Sequence, residues 1–94
     1  MVLVKTDLIS ATAERAGLTK ADAEKAVSAM LDIIEETVAK GDAVQITGFG
    51  TFERRYRAER TGINPATGEK IAVAAAWSPA FKAGKGFKDA VKNG

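Results

Sequence analysis

The stretch RYRAERTGINPATGEK, residues 55–70, lies between two runs of strand-like alternation. It carries three arginines ahead of a tip formed by Asn64 and Pro65, and it has almost no large apolar side chains. Such a segment cannot form a core strand, because guanidinium groups resist burial and proline cannot donate a hydrogen bond to a ladder. The stretch therefore predicts a basic two-stranded arm that projects from the folded body.

The chain ahead of the arm has the pattern of two helices. Residues 6–16 predict a short helix, and Gly17 stands where a left-handed C-terminal cap is usual. Thr19 then offers an N-cap hydroxyl, with Asp22 three positions on in a variant of the capping box. Apolar residues recur beyond it at spacings of three and four, which predicts an amphipathic helix that Gly41 ends.

The hydrophobic period changes to two after the second helix. Residues 44–47 and 52–56 predict two strands joined by a tight turn, and residues 71–77 predict the strand that returns from the arm. Pro79 and Gly84 are expected to bound a loop ahead of the last helix. The predicted fold class is α+β, with two N-terminal helices, a three-stranded antiparallel sheet that bears a long β-ribbon arm, and a short C-terminal helix.

The length of 94 residues predicts a single domain, residues 1–94. We expect residues 1–41 to form a helical base and residues 42–81 to form the sheet, with the arm at about 55–75. Residues 82–94 are expected to form the C-terminal helix.

Charge is unevenly distributed along the chain. Residues 1–43 have five basic and eight acidic side chains, whereas residues 44–94 have nine basic and four acidic ones. The net charge of +2 is thus the sum of an acidic first half and a basic second half. An anionic partner is expected at the basic half, although polarity alone fits a solvated surface that promotes solubility equally well.

Several classes of function lack the residues that they need. The chain has no Cys and no His, which removes disulfides, the usual zinc sites and His-based acid–base catalysis. The GFG motif at 48–50 continues into a strand rather than a helix, so it is not a phosphate-binding loop. We expect no enzyme activity, cofactor, metal or small-molecule substrate. No apolar run approaches the ~20 residues of a membrane span, so we expect a soluble, cytoplasmic protein without a membrane partner.

The arginines of the arm fit a DNA groove. Strand alternation places Arg55 and Arg57 on one face, where guanidinium groups can span successive phosphates or enter a minor groove. Pro65 and Ile63 add an apolar tip that can wedge between base pairs. Each feature also has a plainer interpretation, because basic groups protect a strand edge from association and Asn, Pro and Gly are ordinary turn residues.

The rest of the chain leaves further alternatives open. Lys82 and Lys85 can contact phosphates or can belong to a solvated helix face. The phenylalanines can stack on bases, but core packing is the better interpretation in so small a chain. Residues 6–38 could form a helix-turn-helix of a regulator, although the outward carboxylates of the second helix would repel phosphates. A purely structural oligomerisation protein would leave the arginines of the arm unexplained.

Three motifs run through the second half of the chain: GFGTFE at 48–53, RxRxxRxGxNPxTG at 55–68 and PAFxxGK at 79–85. Together they resemble the bacterial histone-like HU and integration host factor family, and the match extends over essentially the whole chain. The resemblance implies an intertwined dimer with a helical base. It also implies that two arms embrace DNA in the minor groove and that each tip proline intercalates, which is the family's own mechanism.

The resemblance assigns roles by position. The implied DNA contacts are Arg55, Arg57, Arg60, Asn64, Pro65, Lys5, Lys82 and Lys85. The implied intercalating tip consists of Pro65 and Ile63. The implied dimer core consists of Phe49, Phe52, Phe81, Met30, Leu31 and Ile34. The chain departs from the family pattern at Ile63, where Arg is usual, at Trp77, where Lys is common, and at Ala74, where Pro is frequent.

The predicted function is that of a histone-like protein that binds double-stranded DNA largely without sequence specificity, bends it, and compacts the bacterial chromosome. The minor groove presents a degenerate base pattern. A wedge should favour bent, nicked or mismatched DNA, because part of the unstacking cost is then absent. The partner subunit is expected to be a second copy or a paralogue, and the expected location is the nucleoid. The close alternative is an integration-host-factor-like protein with a site preference.

Overall fold

The computed structural model describes all 94 residues and contains three helices and five strands. In chain order these are α1 (Lys5–Ala16), α2 (Lys20–Ala39), β1 (Val44–Ile46), β2 (Gly50–Arg57), β3 (Arg60–Ile63), β4 (Lys70–Val73), β5 (Ala76–Ala83) and α3 (Lys85–Asn93). The prediction of an α+β fold with antiparallel strands is confirmed. The chain divides into two compact units, Met1–Glu36 and Thr37–Gly94.

The first unit contains α1 and most of α2, and its caps follow the sequence signals. Gly17 has a left-handed backbone with φ of 69°, as a glycine cap requires. The Thr19 hydroxyl accepts a hydrogen bond from the amide of Asp22 at 3.2 Å. A small cluster of buried apolar side chains holds the two helices together: Ile9, Ala13, Ala23 and Val27.

Very little of the apolar surface is buried within one chain. The buried apolar side chains are Ile9, Ala13, Ala23, Val27 and Val38. Large apolar side chains remain exposed along α2 and in the second unit, with 52% of the surface of Met30 and 44% of the surface of Phe49 accessible. Burial of apolar area is the main favourable contribution to folding, so a chain with these exposures has little core of its own.

The second unit is built on a three-stranded antiparallel sheet in the order β1-β2-β5. Phe52 lies opposite both Val44 and Phe81 in the register, and its ring centroid is 4.7 Å from that of Phe81. Gly50 is buried at the start of β2, where an added Cβ would lie 2.6 Å from the carbonyl oxygen of Lys82. A side chain at this position would therefore require strand β5 or the Phe81 ring to shift.

The prediction of a loop between Pro79 and Gly84 is wrong. Strand β5 extends to Ala83, beyond the boundary at residue 81 that we expected, and the helix begins at Lys85 rather than at 82. Pro79 is tolerated because β5 lies at the edge of the sheet, where one side of the strand has no ladder to complete. Gly84 is the N-cap residue of α3.

The arm is a second, separate pair of strands. Strands β3 and β4 pair from Arg60 opposite Val73 to Ile63 opposite Lys70. Two residues on each side, 58–59 and 74–75, are unpaired between this ladder and the β2–β5 ladder. The long β-ribbon that the sequence predicts is thus interrupted at these four positions, which we call the hinge.

Candidate nucleic-acid interface

One face of strand β2 presents the arginines that the sequence predicts. Arg55 lies opposite Ser78 and Arg57 lies opposite Ala76, so the two guanidinium groups lie on one face of the ribbon. Both side chains are exposed, as is Arg60 at the first rung of the arm. The exposed arginines thus continue from β2, across the hinge, to the start of β3.

A carboxylate that the sequence analysis did not single out lies among these cations. Glu53 Oε1 is 3.5 Å from Nη2 of Arg55 and 3.5 Å from Nζ of Lys82. The Glu53 side chain is 28% exposed, whereas both basic side chains are more than half exposed. Glu53 therefore brings two of the predicted DNA contacts together and partly neutralises them. The sequence contains a signal for this placement, because Glu53 and Arg55 are two positions apart on a predicted strand and their side chains therefore share one face.

Arg54 does not belong to the same face. It is half-buried, and its Cζ lies 4.1 Å above the centre of the Trp77 ring. Its Nη1 donates a long hydrogen bond of 3.5 Å to the carbonyl oxygen of Ala39. Tyr56, two residues further along β2, makes an edge contact with Trp77 at 5.2 Å between ring centroids.

The tip of the arm is a turn with exposed apolar groups. Asn64 Oδ1 accepts a hydrogen bond from the Ala66 amide at 2.9 Å, and the Asn64 carbonyl accepts one from Gly68 at 2.7 Å. Gly68 has φ of 73°, which favours glycine. Pro65 is exposed, and 68% of the surface of Ile63 is accessible. Asn64 thus shapes a turn that leaves two apolar side chains in solvent.

The predicted lysine contacts are spread over several elements. Lys5 is the first residue of α1, Lys85 is the first residue of α3, and Lys82 lies in β5. All three side chains are exposed. Of these three, only Lys82 pairs with a carboxylate.

The residues assigned to a dimer core are accessible in the single chain. Phe49, Phe81, Met30 and Leu31 are exposed, whereas Phe52 and Ile34 are half-buried. The phenylalanines contact one another, with Phe49 at 5.5 Å from Phe81 and 5.1 Å from Phe87 between ring centroids. They therefore form an aromatic cluster in which Phe49 and Phe81 remain exposed.

Two further observations concern other kinds of site. No group of three or more His, Cys, Asp or Glu side chains is placed to hold a metal ion. None of the helices has the length and the apolar composition that crossing a bilayer requires.

Comparison with known families accounts for this arrangement. The family model of bacterial DNA-binding proteins matches residues 3–92 of the chain. Because the match covers almost the whole chain, this protein belongs to that family.

Proteins named HU are among its relatives. The DNA-binding protein HU of Lactococcus lactis is 59% identical over 88 residues, which cover 94% of this chain and 97% of that protein. The HU protein of Geobacillus stearothermophilus is 58% identical over 88 residues, which cover 94% of this chain and 98% of that protein. The resemblance that the motifs indicated is therefore confirmed.

Solved structures agree with the fold. The chain superposes on HU in an Anabaena HU–DNA cocrystal structure with a TM-score of 0.87 and 45% identity, covering 94% of this chain and 96% of that one. HU from Thermotoga maritima gives a TM-score of 0.66 and 33% identity, covering 94% of this chain and 97% of that one.

Proposed function

We propose that this protein is a histone-like architectural protein that binds double-stranded DNA through the minor groove and bends it. The observation that carries the proposal is the row of exposed arginines that leads to an exposed apolar tip. Cations on a narrow ribbon meet the strong negative potential of a minor groove, and an apolar wedge can unstack one base step. Membership of the bacterial DNA-binding protein family supports it.

The residues of the arm take distinct roles in this proposal. Arg55, Arg57 and Arg60 contact phosphates or the minor groove, which provides affinity with little sequence information. Pro65 and Ile63 form the intercalating wedge, because both are apolar and accessible at the end of the arm. Asn64 holds the turn that presents them, through the hydrogen bond of its side chain to the Ala66 amide.

Lysines outside the arm extend the contact to flanking DNA. We assign phosphate contacts to Lys5, Lys82 and Lys85, all of which are exposed. Lys85 is the first residue of α3, where its ammonium group reaches solvent without a carboxylate partner. A longer contact favours bent DNA, because bending brings more of the backbone to the protein.

The active form in this proposal is an intertwined dimer. The support is the exposed apolar surface: Phe49, Phe52, Phe81, Met30, Leu31 and Ile34 lack the covering that a folded core provides. A second chain that covers these side chains would supply the missing core, as obligate dimers do. The second chain is another copy or a paralogue.

The proposed architectural role also implies which DNA structures the protein prefers and where in the cell it acts. Bent, nicked and mismatched duplexes are the preferred substrates, since the wedge then meets less stacking. The protein acts on the chromosome within the nucleoid and has a structural rather than a catalytic role.

The proposal is tested by gel-shift titration of intact, nicked and four-way DNA at two salt concentrations, with sedimentation to determine the subunit number. We expect a dimer, tighter binding to nicked and four-way DNA, and affinity that falls steeply with salt. Equal affinity for all three forms would refute the wedge. A strong preference for one duplex sequence over others of equal length would instead favour the integration-host-factor-like alternative.

A further inference from the structure

Three side chains near the end of the β2–β5 ladder, where the arm begins, have no role in the proposed contact with DNA. The group consists of Arg54, Tyr56 and Trp77, which we call the root cluster. Tyr56 and Trp77 are directly opposite each other in the β2–β5 ladder. Alternation along β2 places the cluster on the face opposite to Arg55 and Arg57. The ribbon therefore has a cationic face and, behind it, an aromatic one.

Three contacts join the members of the root cluster. The Arg54 guanidinium stacks 4.1 Å above the Trp77 ring, and Tyr56 meets that ring at 5.2 Å with an interplanar angle of 62°. Arg54 also reaches the carbonyl oxygen of Ala39 at 3.5 Å. Ala39 is the last residue of α2, where carbonyl groups lack helical partners and a cation is favoured. Arg54 thus connects the end of α2 to strand β5.

The root cluster lies beside the hinge, near the end of the β2–β5 ladder. The β2–β5 ladder ends one rung beyond the pair formed by Tyr56 and Trp77. The next four residues, 58–59 and 74–75, are the unpaired hinge. A ladder frays from its end, where few contacts oppose opening. The root cluster lies where it opposes that fraying.

We infer that the root cluster is a brace that keeps the last rungs of the β2–β5 ladder closed, so that motion of the arm is confined to the hinge. Arg55 and Arg57 are on these rungs, so the brace keeps their backbone ordered before DNA arrives. Arg54, Tyr56 and Trp77 are positioning residues rather than DNA contacts. Pre-ordered contacts bind more tightly, because less conformational entropy is lost on association. The effect on DNA rests on the proposed function, whereas the closing of the ladder does not.

The brace is tested first without DNA, by amide hydrogen exchange of the full-length protein. Arg54→Gln removes the cation, and amides at 54–57 and 76–79 should then exchange about three- to tenfold faster. Arg54→Lys keeps a charge over the ring and should recover part of the protection. Arg55→Gln, on the opposite face, is the matched control and should leave this exchange unchanged. Trp77 is the only tryptophan, so its quenching by acrylamide should also rise in Arg54→Gln.

A second measurement links the brace to DNA. Fluorescence anisotropy with a labelled nicked duplex should show about three- to tenfold weaker binding for Arg54→Gln, although Arg54 is not among the residues to which we assign DNA contacts. Exchange in Arg54→Gln equal to that of the parent protein would refute the brace. Faster exchange with unchanged affinity would refute the positioning role. Arg55→Gln that binds as tightly as the parent would count against the proposed function instead. Trp77→Leu provides the same test if Arg54→Gln disturbs the helices.

Discussion

Removal of the Glu53 carboxylate should strengthen DNA binding. Glu53 lies 3.5 Å from both Arg55 and Lys82, and we assign both of these cations to phosphates. Phosphates must therefore displace a carboxylate before they can take these contacts. Glu53→Gln retains the size of the side chain and removes the competitor. The protein should then bind the same duplex more tightly.

The size of the effect follows from the exposure of the two ion pairs. Both basic side chains are more than half exposed, so solvent screens each pair and it is worth about 0–1 kcal/mol. Release of both contributes at most about 2 kcal/mol, and 1.4 kcal/mol corresponds to a factor of about ten in affinity. We therefore expect binding that is about three- to tenfold tighter. Repulsion between Glu53 and nearby phosphates acts in the same direction.

Anisotropy titration of a labelled duplex at fixed salt measures this change. Glu59→Gln is the matched control, because Glu59 lies in the hinge, is exposed and has no ion pair. Both variants change the net charge of the protein by +1. The difference between their DNA affinities therefore measures the competition between Glu53 and the phosphates, without the effect of net charge. If Glu53→Gln and Glu59→Gln bind equally tightly, the two ion pairs do not oppose DNA binding and the reasoning fails.

Other predictions follow from the arm and the sheet. Pro65→Ala should reduce the bend angle, measured by energy transfer between duplex ends, more than it reduces affinity; an unchanged bend would exclude the wedge. Arg57→Ala and Arg60→Ala should each weaken binding to all duplexes alike and lower the salt slope by about one, whereas loss confined to one sequence would indicate base readout. Amides at 58–68 should exchange fastest in the free protein, because few apolar contacts hold the arm, and strong protection there would contradict a mobile arm. Gly50→Ala should destabilise the sheet by about 1–3 kcal/mol in chemical denaturation, since its Cβ would meet the Lys82 carbonyl at 2.6 Å; an unchanged midpoint would show that the strand can shift.

Local patterns in the sequence predict the elements of this protein well. Gly17, Thr19 and the spacing of apolar residues locate α1 and α2 to within one or two residues, because caps and helical periodicity depend on near neighbours. The alternation of residues 52–56 likewise predicts β2. The composition of residues 55–70 predicts an arm without a core, and the exposed strands β3 and β4 agree with it.

The end of the sheet was harder to predict. Pro79 favoured a loop, yet it lies in β5, since a proline is compatible with a strand whose outer side pairs with nothing. Whether a strand is at an edge depends on the order of all strands in the sheet, and no local pattern contains that order. The sequence does not locate the hinge either, because the point where one ladder ends and the next begins depends on pairing between residues far apart in the chain.

The sequence by itself determined the class of fold, the basic arm with its proline tip, and the family to which the motifs point. These depend on residue type and short spacing, which act over a few neighbours. Only the tertiary structure decided that Arg54 stacks on Trp77 and that Glu53 joins Arg55 to Lys82. The physical reason is register: pairing of β2 with β5 places each residue of β2 opposite a residue that is 19 to 33 positions further along the chain.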